Sequence, residues 1–113
     1  MFQWFTSWFK SEPVSPELKK DIESTISSNK VVVYSKSYCP YCSSTKDLLS
    51  KYNQNFKLIE LDTLSNGSTI QNALQEITGQ RTVPNIFING KHIGGNSDLQ
   101  TLNSQGKLQS LLN

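Results

Sequence analysis

The residues most able to do chemistry are Cys39 and Cys42, set three positions apart as Cys39-Pro40-Tyr41-Cys42. They are the only cysteines in the chain, so no multi-bridge secreted framework exists. The pair follows a β-branched run and opens a helix, the arrangement expected of a thiol–disulfide redox motif. Proline suits the first helical position, which leaves Cys39 at the helix N-terminus. There the free N–H groups and the helix dipole stabilise a thiolate. Cys42 falls in the same first turn, so the two Cα atoms lie within the roughly 4.4–6.8 Å that a disulfide spans. On this reading Cys39 is the exposed attacking thiol and Cys42 the more buried resolving thiol. Lys36 adds a positive charge three residues upstream. Structural zinc needs four ligands, and beyond the two thiols the single histidine, His92, is the only further soft ligand. His92 is expected at a strand edge and is given no role.

Two further segments could serve such a thiol. In Arg81-Thr82-Val83-Pro84 a cis bond before Pro84 would expose the N–H and C=O of Val83 to an extended peptide, as an added strand would. Gly94-Gly95-Asn96-Ser97-Asp98 is a turn into a helix whose free N–H groups suit a carboxylate.

The elements that must position these residues follow from pattern. Ser15 before Pro16 is an N-cap, and Leu18, Ile22 and Ile26 form an apolar stripe that ends near Asn29. Val31-Val32-Val33-Tyr34 reads as a buried strand. A helix is expected over about 40–52 and a second strand over 56–61. Ser65-Asn66-Gly67-Ser68 is a turn, and Ile70, Ala73, Leu74 and Ile77 make a helical stripe stopped at Gly79. Asn89-Gly90 between Ile86-Phe87-Ile88 and Lys91-His92-Ile93 is a hairpin signal. Ser97 with Gln100 predicts the cap of one last helical stretch running through Leu112. The order α-β-α-β-α-β-β-α gives an α/β fold: a small mixed four-stranded sheet, its first two strands parallel, with helices on both faces.

Composition narrows the classes. The chain has 113 residues, 11 basic and 9 acidic, and a formal net charge of +2. That is one domain, too near charge balance to predict nucleic-acid binding. No run of 18 apolar residues occurs, so no membrane-spanning helix is expected. Residues 1–14 read as an extension and linker before a domain at 15–113. Five of the eleven aromatics, Phe2, Trp4, Phe5, Trp8 and Phe9, fall in this extension. It lacks the pattern of a secretory signal or an Arg-rich presequence. Packing of these side chains against protein is the expected reading. Membrane contact through residues 2–9 is disfavoured by the lack of a clean polar face and by the single basic residue nearby, Lys10.

Together, Lys36 to Cys42, Gly79 to Gly95 and Ser97-Asp98-Leu99 resemble dithiol glutaredoxins, with the fungal members as the nearest expected kin, over about residues 16–113. The resemblance implies a thioredoxin fold and glutathione-dependent thiol–disulfide exchange, with glutathione as co-substrate and no bound cofactor. It implies Cys39 as nucleophile and Cys42 as resolving thiol. It also implies a glutathione groove made by Lys36, Tyr41, Gln71, Thr82, Val83, Pro84, Gly95, Ser97 and Asp98. Lys36 and Gln71 would hold the glycyl carboxylate and Val83 the cysteinyl backbone. Ser97 would take the γ-glutamyl carboxylate and Asp98 its ammonium. Glutathionylated or disulfide-bonded proteins are the implied partners, met by a mainly monomeric chain in the cytoplasm, with a mitochondrial fraction as the alternative. Two other functions compete. In a [2Fe–2S]-bridged dimer the family favours a small flexible residue where Pro40 stands, and proline stiffens that loop. A thioredoxin-like reductase would carry Gly-Pro between the cysteines rather than Pro-Tyr.

Overall fold

The computed structural model describes residues 14–113; the aromatic segment and most of its linker lie outside the described residues. Ser15 caps helix α1 (Pro16–Ser28) by accepting the Leu18 N–H at 3.1 Å, with Pro16 in the first turn and Asn29 at the C-cap, as the sequence predicts. Strand β1 (Val31–Ser35) is buried throughout. Helix α2 (Pro40–Lys51), strand β2 (Lys57–Glu60) and a 3₁₀ turn (Leu61–Thr63) follow. Helix α3 (Gly67–Thr78) ends at Gly79, whose φ of 85° is the left-handed conformation that closes helices at low steric cost. Strands β3 (Asn85–Ile88) and β4 (Lys91–Gly94) then form the hairpin. Both of its turn residues have positive φ, 54° at Asn89 and 78° at Gly90, as a tight turn matched to strand twist requires.

The sheet runs β2-β1-β3-β4, with β1 parallel to β2 and antiparallel to β3, and β3 antiparallel to β4. Successive side chains point to opposite faces of a strand. Val32, Tyr34 and Phe87 therefore meet Ile22, Ile26, Ile70, Ala73 and Leu74 of α1 and α3. Val31, Val33, Ile86 and Ile88 meet Leu48, Leu49 and Leu99 on the other face. Both faces of β1 are covered, which is why its sequence is a continuous apolar run rather than an alternating one.

Two expectations at the C-terminal end are corrected. The final stretch is two helices, α4 (Asn96–Ser104) and α5 (Leu108–Leu112), because the chain turns at Gly106 with φ 73°. The break lets Leu99, Leu108 and Leu112 all reach the same core. The N-cap of α4 is Gly95, not Ser97. The Asp98 carboxylate turns back to accept the Gly95 N–H at 2.9 Å.

The topology decides where a site can form. The end of β1, the start of β3 and the end of β4 lie at one edge of the sheet, because β3 is antiparallel to both of its neighbours. The segments around residues 36–42, 81–84 and 94–98 leave the sheet at that edge.

Candidate active site

Cys39 is the N-cap of α2, in an extended conformation, and Pro40 is the first helical residue. Its sulfur accepts the backbone N–H of Cys42 at 3.4 Å. The first turn of the helix thus directs its free donor at the sulfur. Cys39 is half-buried and Cys42 fully buried; both are free thiols. Burial pushes the Cys42 thiol above its ordinary range, although hydrogen bonds from Ser35 and from the Lys36 backbone oppose that shift. The Lys36 N–H lies 3.5 Å from the Cys42 sulfur. Cys39 is thus the more accessible of the two thiols and Cys42 the more buried, the difference in burial expected from spacing.

The turn before Cys39 is held from outside. Asp62, in the 3₁₀ turn after β2, accepts the Ser37 N–H at 2.9 Å and also the Ser37 hydroxyl. These bonds to Ser37 hold its carboxyl below the usual carboxylate range. Nothing in the local sequence announces this contact, since the partners are 25 residues apart.

The Val83–Pro84 peptide is cis, as expected. The Cys39 thiol faces the Val83 carbonyl at 3.9 Å. Tyr41, Thr82, Val83, Pro84, Gly95, Asn96 and Ser97 line a groove of about 440 Å³ beside that sulfur. It therefore gathers six residues that the sequence nominated, and Asn96, which it did not. Asn96 is locked to the thiol helix: its carbonyl oxygen accepts the buried Thr45 hydroxyl at 2.9 Å.

One family model matches residues 31–93, and its description is glutaredoxin. The chain is 60% identical over 87 residues to a glutaredoxin of Ricinus communis, covering 77% of this chain and 85% of that one. It is 60% identical over 88 residues to glutaredoxin-C6 of Oryza sativa subsp. japonica, covering 78% of this chain and 79% of the relative. A crystal structure of a buckwheat glutaredoxin–glutathione complex matches with a TM-score of 0.85 at 43% identity, covering 91% of this chain and 94% of that one.

The chain belongs to the glutaredoxin family.

These relatives are plant proteins, so the expected kinship with fungal members is not supported. The fold is the thioredoxin fold of glutaredoxins, with the mixed sheet and two-sided helices expected of it. Within that glutaredoxin fold, the three other residues named from the sequence, Lys36, Gln71 and Asp98, sit around this groove's lining as follows. Lys36 is half-buried in the turn before Cys39. Asp98 is exposed behind Gly95 and caps α4. Gln71 is buried, 6% exposed, and its amide N–H goes to the Arg81 carbonyl at 2.8 Å. Gln71, expected at a ligand carboxylate, thus also holds the 81–84 loop through one amide N–H. His92 is an exposed strand residue as expected, but its Nε2 is bonded to Asn85 Oδ1 at 2.8 Å.

Proposed function

We propose that this glutaredoxin carries out glutathione-dependent thiol–disulfide exchange, with Cys39 as nucleophile and Cys42 as the resolving thiol. The observation that carries the reading is the half-exposed Cys39 sulfur, which holds the Cys42 N–H at 3.4 Å and faces the Val83 carbonyl. The Cys39 thiolate attacks the glutathione sulfur of a protein–glutathione mixed disulfide. That S–S bond breaks, the protein thiolate leaves and takes up a proton, and Cys39 is left disulfide-bonded to glutathione. A second glutathione thiolate then attacks that bond, releasing glutathione disulfide and restoring the Cys39 thiolate. On the dithiol route Cys42 gives up its proton, attacks the Cys39 sulfur and releases glutathione.

The groove supplies the selectivity. The Val83 N–H and C=O pair with the cysteinyl backbone of glutathione as an added strand would. Unpaired N–H groups in the first turn of α4, with the Ser97 hydroxyl, take the γ-glutamyl carboxylate. Asp98 faces its ammonium and Lys36 the glycyl carboxylate, while Tyr41, Thr82, Pro84 and Gly95 form the walls. Glutathionylated and disulfide-bonded proteins are the substrates, and the monomer is the working unit.

The test is turnover of a glutathionylated peptide by wild type, Cys39→Ser and Cys42→Ser. Cys39→Ser falls to the uncatalysed background. Cys42→Ser retains much of the activity, because glutathione can discharge the Cys39 mixed disulfide. Turnover surviving in Cys39→Ser sinks the assignment of the nucleophile.

A further inference from the structure

The carbonyls around the cis-proline loop are held unequally. The Arg81 carbonyl is taken by the Gln71 amide at 2.8 Å. The Thr82 and Pro84 carbonyls are both taken by one group, the Gln80 side-chain amide nitrogen, at 3.1 and 3.0 Å. Only the Val83 carbonyl of these four consecutive groups is turned toward the Cys39 sulfur. Gln80 is itself anchored at both backbone ends. Its N–H goes to the Thr78 hydroxyl at 3.0 Å, and its carbonyl accepts from the Asn85 amide at 3.3 Å. Two carbonyl partners require two N–H donors, which fixes which end of the amide faces the loop. The same nitrogen lies 4.0 Å from where a Cβ on Gly95 would sit, so it also underlies the opposite groove wall.

We propose that Gln80 is a positioning residue for substrate selectivity: it clamps the carbonyls on either side of Val83, so that Val83 alone turns its backbone edge toward the thiol and toward glutathione. This rests on the reading above that Val83 pairs with the glutathione backbone. Gln80 touches neither the sulfur nor the reacting bond. Its loss weakens recognition of a peptide-like disulfide and leaves intrinsic thiol exchange alone.

The experiment compares two mixed disulfides of one peptide, one with glutathione and one with 2-mercaptoethanol, which has no backbone to pair. Each is reacted in single turnover with reduced protein, in wild type, Gln80→Glu and Gln80→Ala. The Cys39 thiolate attacks the glutathione or mercaptoethanol sulfur and the peptide thiol leaves, so both reactions make and break the same kinds of bond. Wild type is expected to prefer the glutathione form. Gln80→Glu, of the same size but with acceptors where donors are needed, slows that form by about tenfold, on the order of one hydrogen-bond network lost. It leaves the mercaptoethanol form within about twofold, as a residue remote from the sulfur should. Gln80→Ala, where water can replace the amide, loses part of the preference, and serves as well should the glutamate variant fold poorly. Equal slowing of both forms, or a preference retained in both variants, overturns the proposal while leaving the groove reading intact. A wild-type protein with no preference overturns the groove reading, and the proposal with it.

Discussion

Two helix N-termini meet at this groove, and they use the same physical property in opposite ways. At α2 the cap is the nucleophile itself: the Cys39 sulfur accepts the Cys42 N–H, and Pro40 has no N–H to offer. At α4 the cap is Gly95, which has no side chain, and Asp98 turns back to hold the Gly95 N–H. Asn96 and Ser97, whose N–H groups have no intrahelical acceptor, line the groove. The first terminus directs its donors at a group the chain carries; the second, on the proposed function, directs them at a group that must arrive. The Thr45–Asn96 bond at 2.9 Å ties the two together and sets their separation. The difference teaches that thiol reactivity is built locally, whereas selectivity is built by tertiary structure.

The sharpest way to break this contrast is to remove the resident cap. Cys39→Ala should bring turnover of a glutathionylated peptide to background while leaving the far-UV spectrum unchanged, since the helix keeps its proline start. The two thiols should also differ in reactivity. Cys42 is fully buried and its thiol is pushed up by burial. Iodoacetamide at mildly acidic pH should therefore modify Cys39 first, by about tenfold or more. Peptide mapping that finds Cys42 modified faster would reverse the two roles.

The second terminus breaks by geometry. Gly94 has φ 120°, and a Cβ there would lie 2.2 Å from Asp98 Oδ2, the atom that holds the Gly95 N–H. Gly94→Ala should cost about 2 kcal/mol, from backbone strain plus the displaced cap. It should also raise the KM for glutathione disulfides more than it lowers kcat, as steady-state kinetics and denaturant melts would show. Asp98→Ala removes the cap without the strain and should cost about 1 kcal/mol. If its KM is unchanged, Asp98 acts on the helix alone and not on the ligand.

The pH dependence gives the smallest effects. Partial desolvation of the His92 ring, which packs beside Phe87, lowers its pKa against the opposing pull of the Asp98 charge, so the fold favours the neutral ring. Its contribution is complete above the ordinary histidine value of about 6.5 and is lost as pH falls through the lower folded value. Asp62 is also shifted down, by its bonds to Ser37, and its contribution is likewise present above the ordinary carboxyl range and lost only in stronger acid. Melting temperature followed downward from neutral pH should therefore show a shallow loss that His92→Gln removes, and a later one that Asp62→Asn removes.

What could be read in the chain beforehand follows the same division. Ser15-Pro16, the Cys39–Cys42 turn, Gly79 and Asn89-Gly90 are local signals, each with a stereochemical reason confined to a few residues, and each stands where expected. The cap of α4 was legible in type but misplaced by two residues, because both Gly95 and Ser97 are acceptable caps and only the reach of Asp98 to Gly95 decides between them. The turn at Gly106 was hidden by a leucine pattern that two short helices satisfy as well as one. The tasks of Gln71, Asp62 and Asn96 depend on partners 10, 25 and 51 residues away. No local periodicity encodes such contacts.

The hairpin turn at the far edge of the sheet has a practical consequence. The Asn89 N–H bonds the Lys30 carbonyl at 2.7 Å, and its side-chain amide bonds the Leu111 carbonyl at 2.9 Å. The last helix is thereby moored at the edge opposite the thiol. A chain immobilised through a linker after Asn113 would stand on a surface with its groove facing the solution. Such an electrode or bead should process a large glutathionylated protein nearly as fast as the free chain does, whereas attachment through Tyr38 or Ser97 should admit only small disulfides.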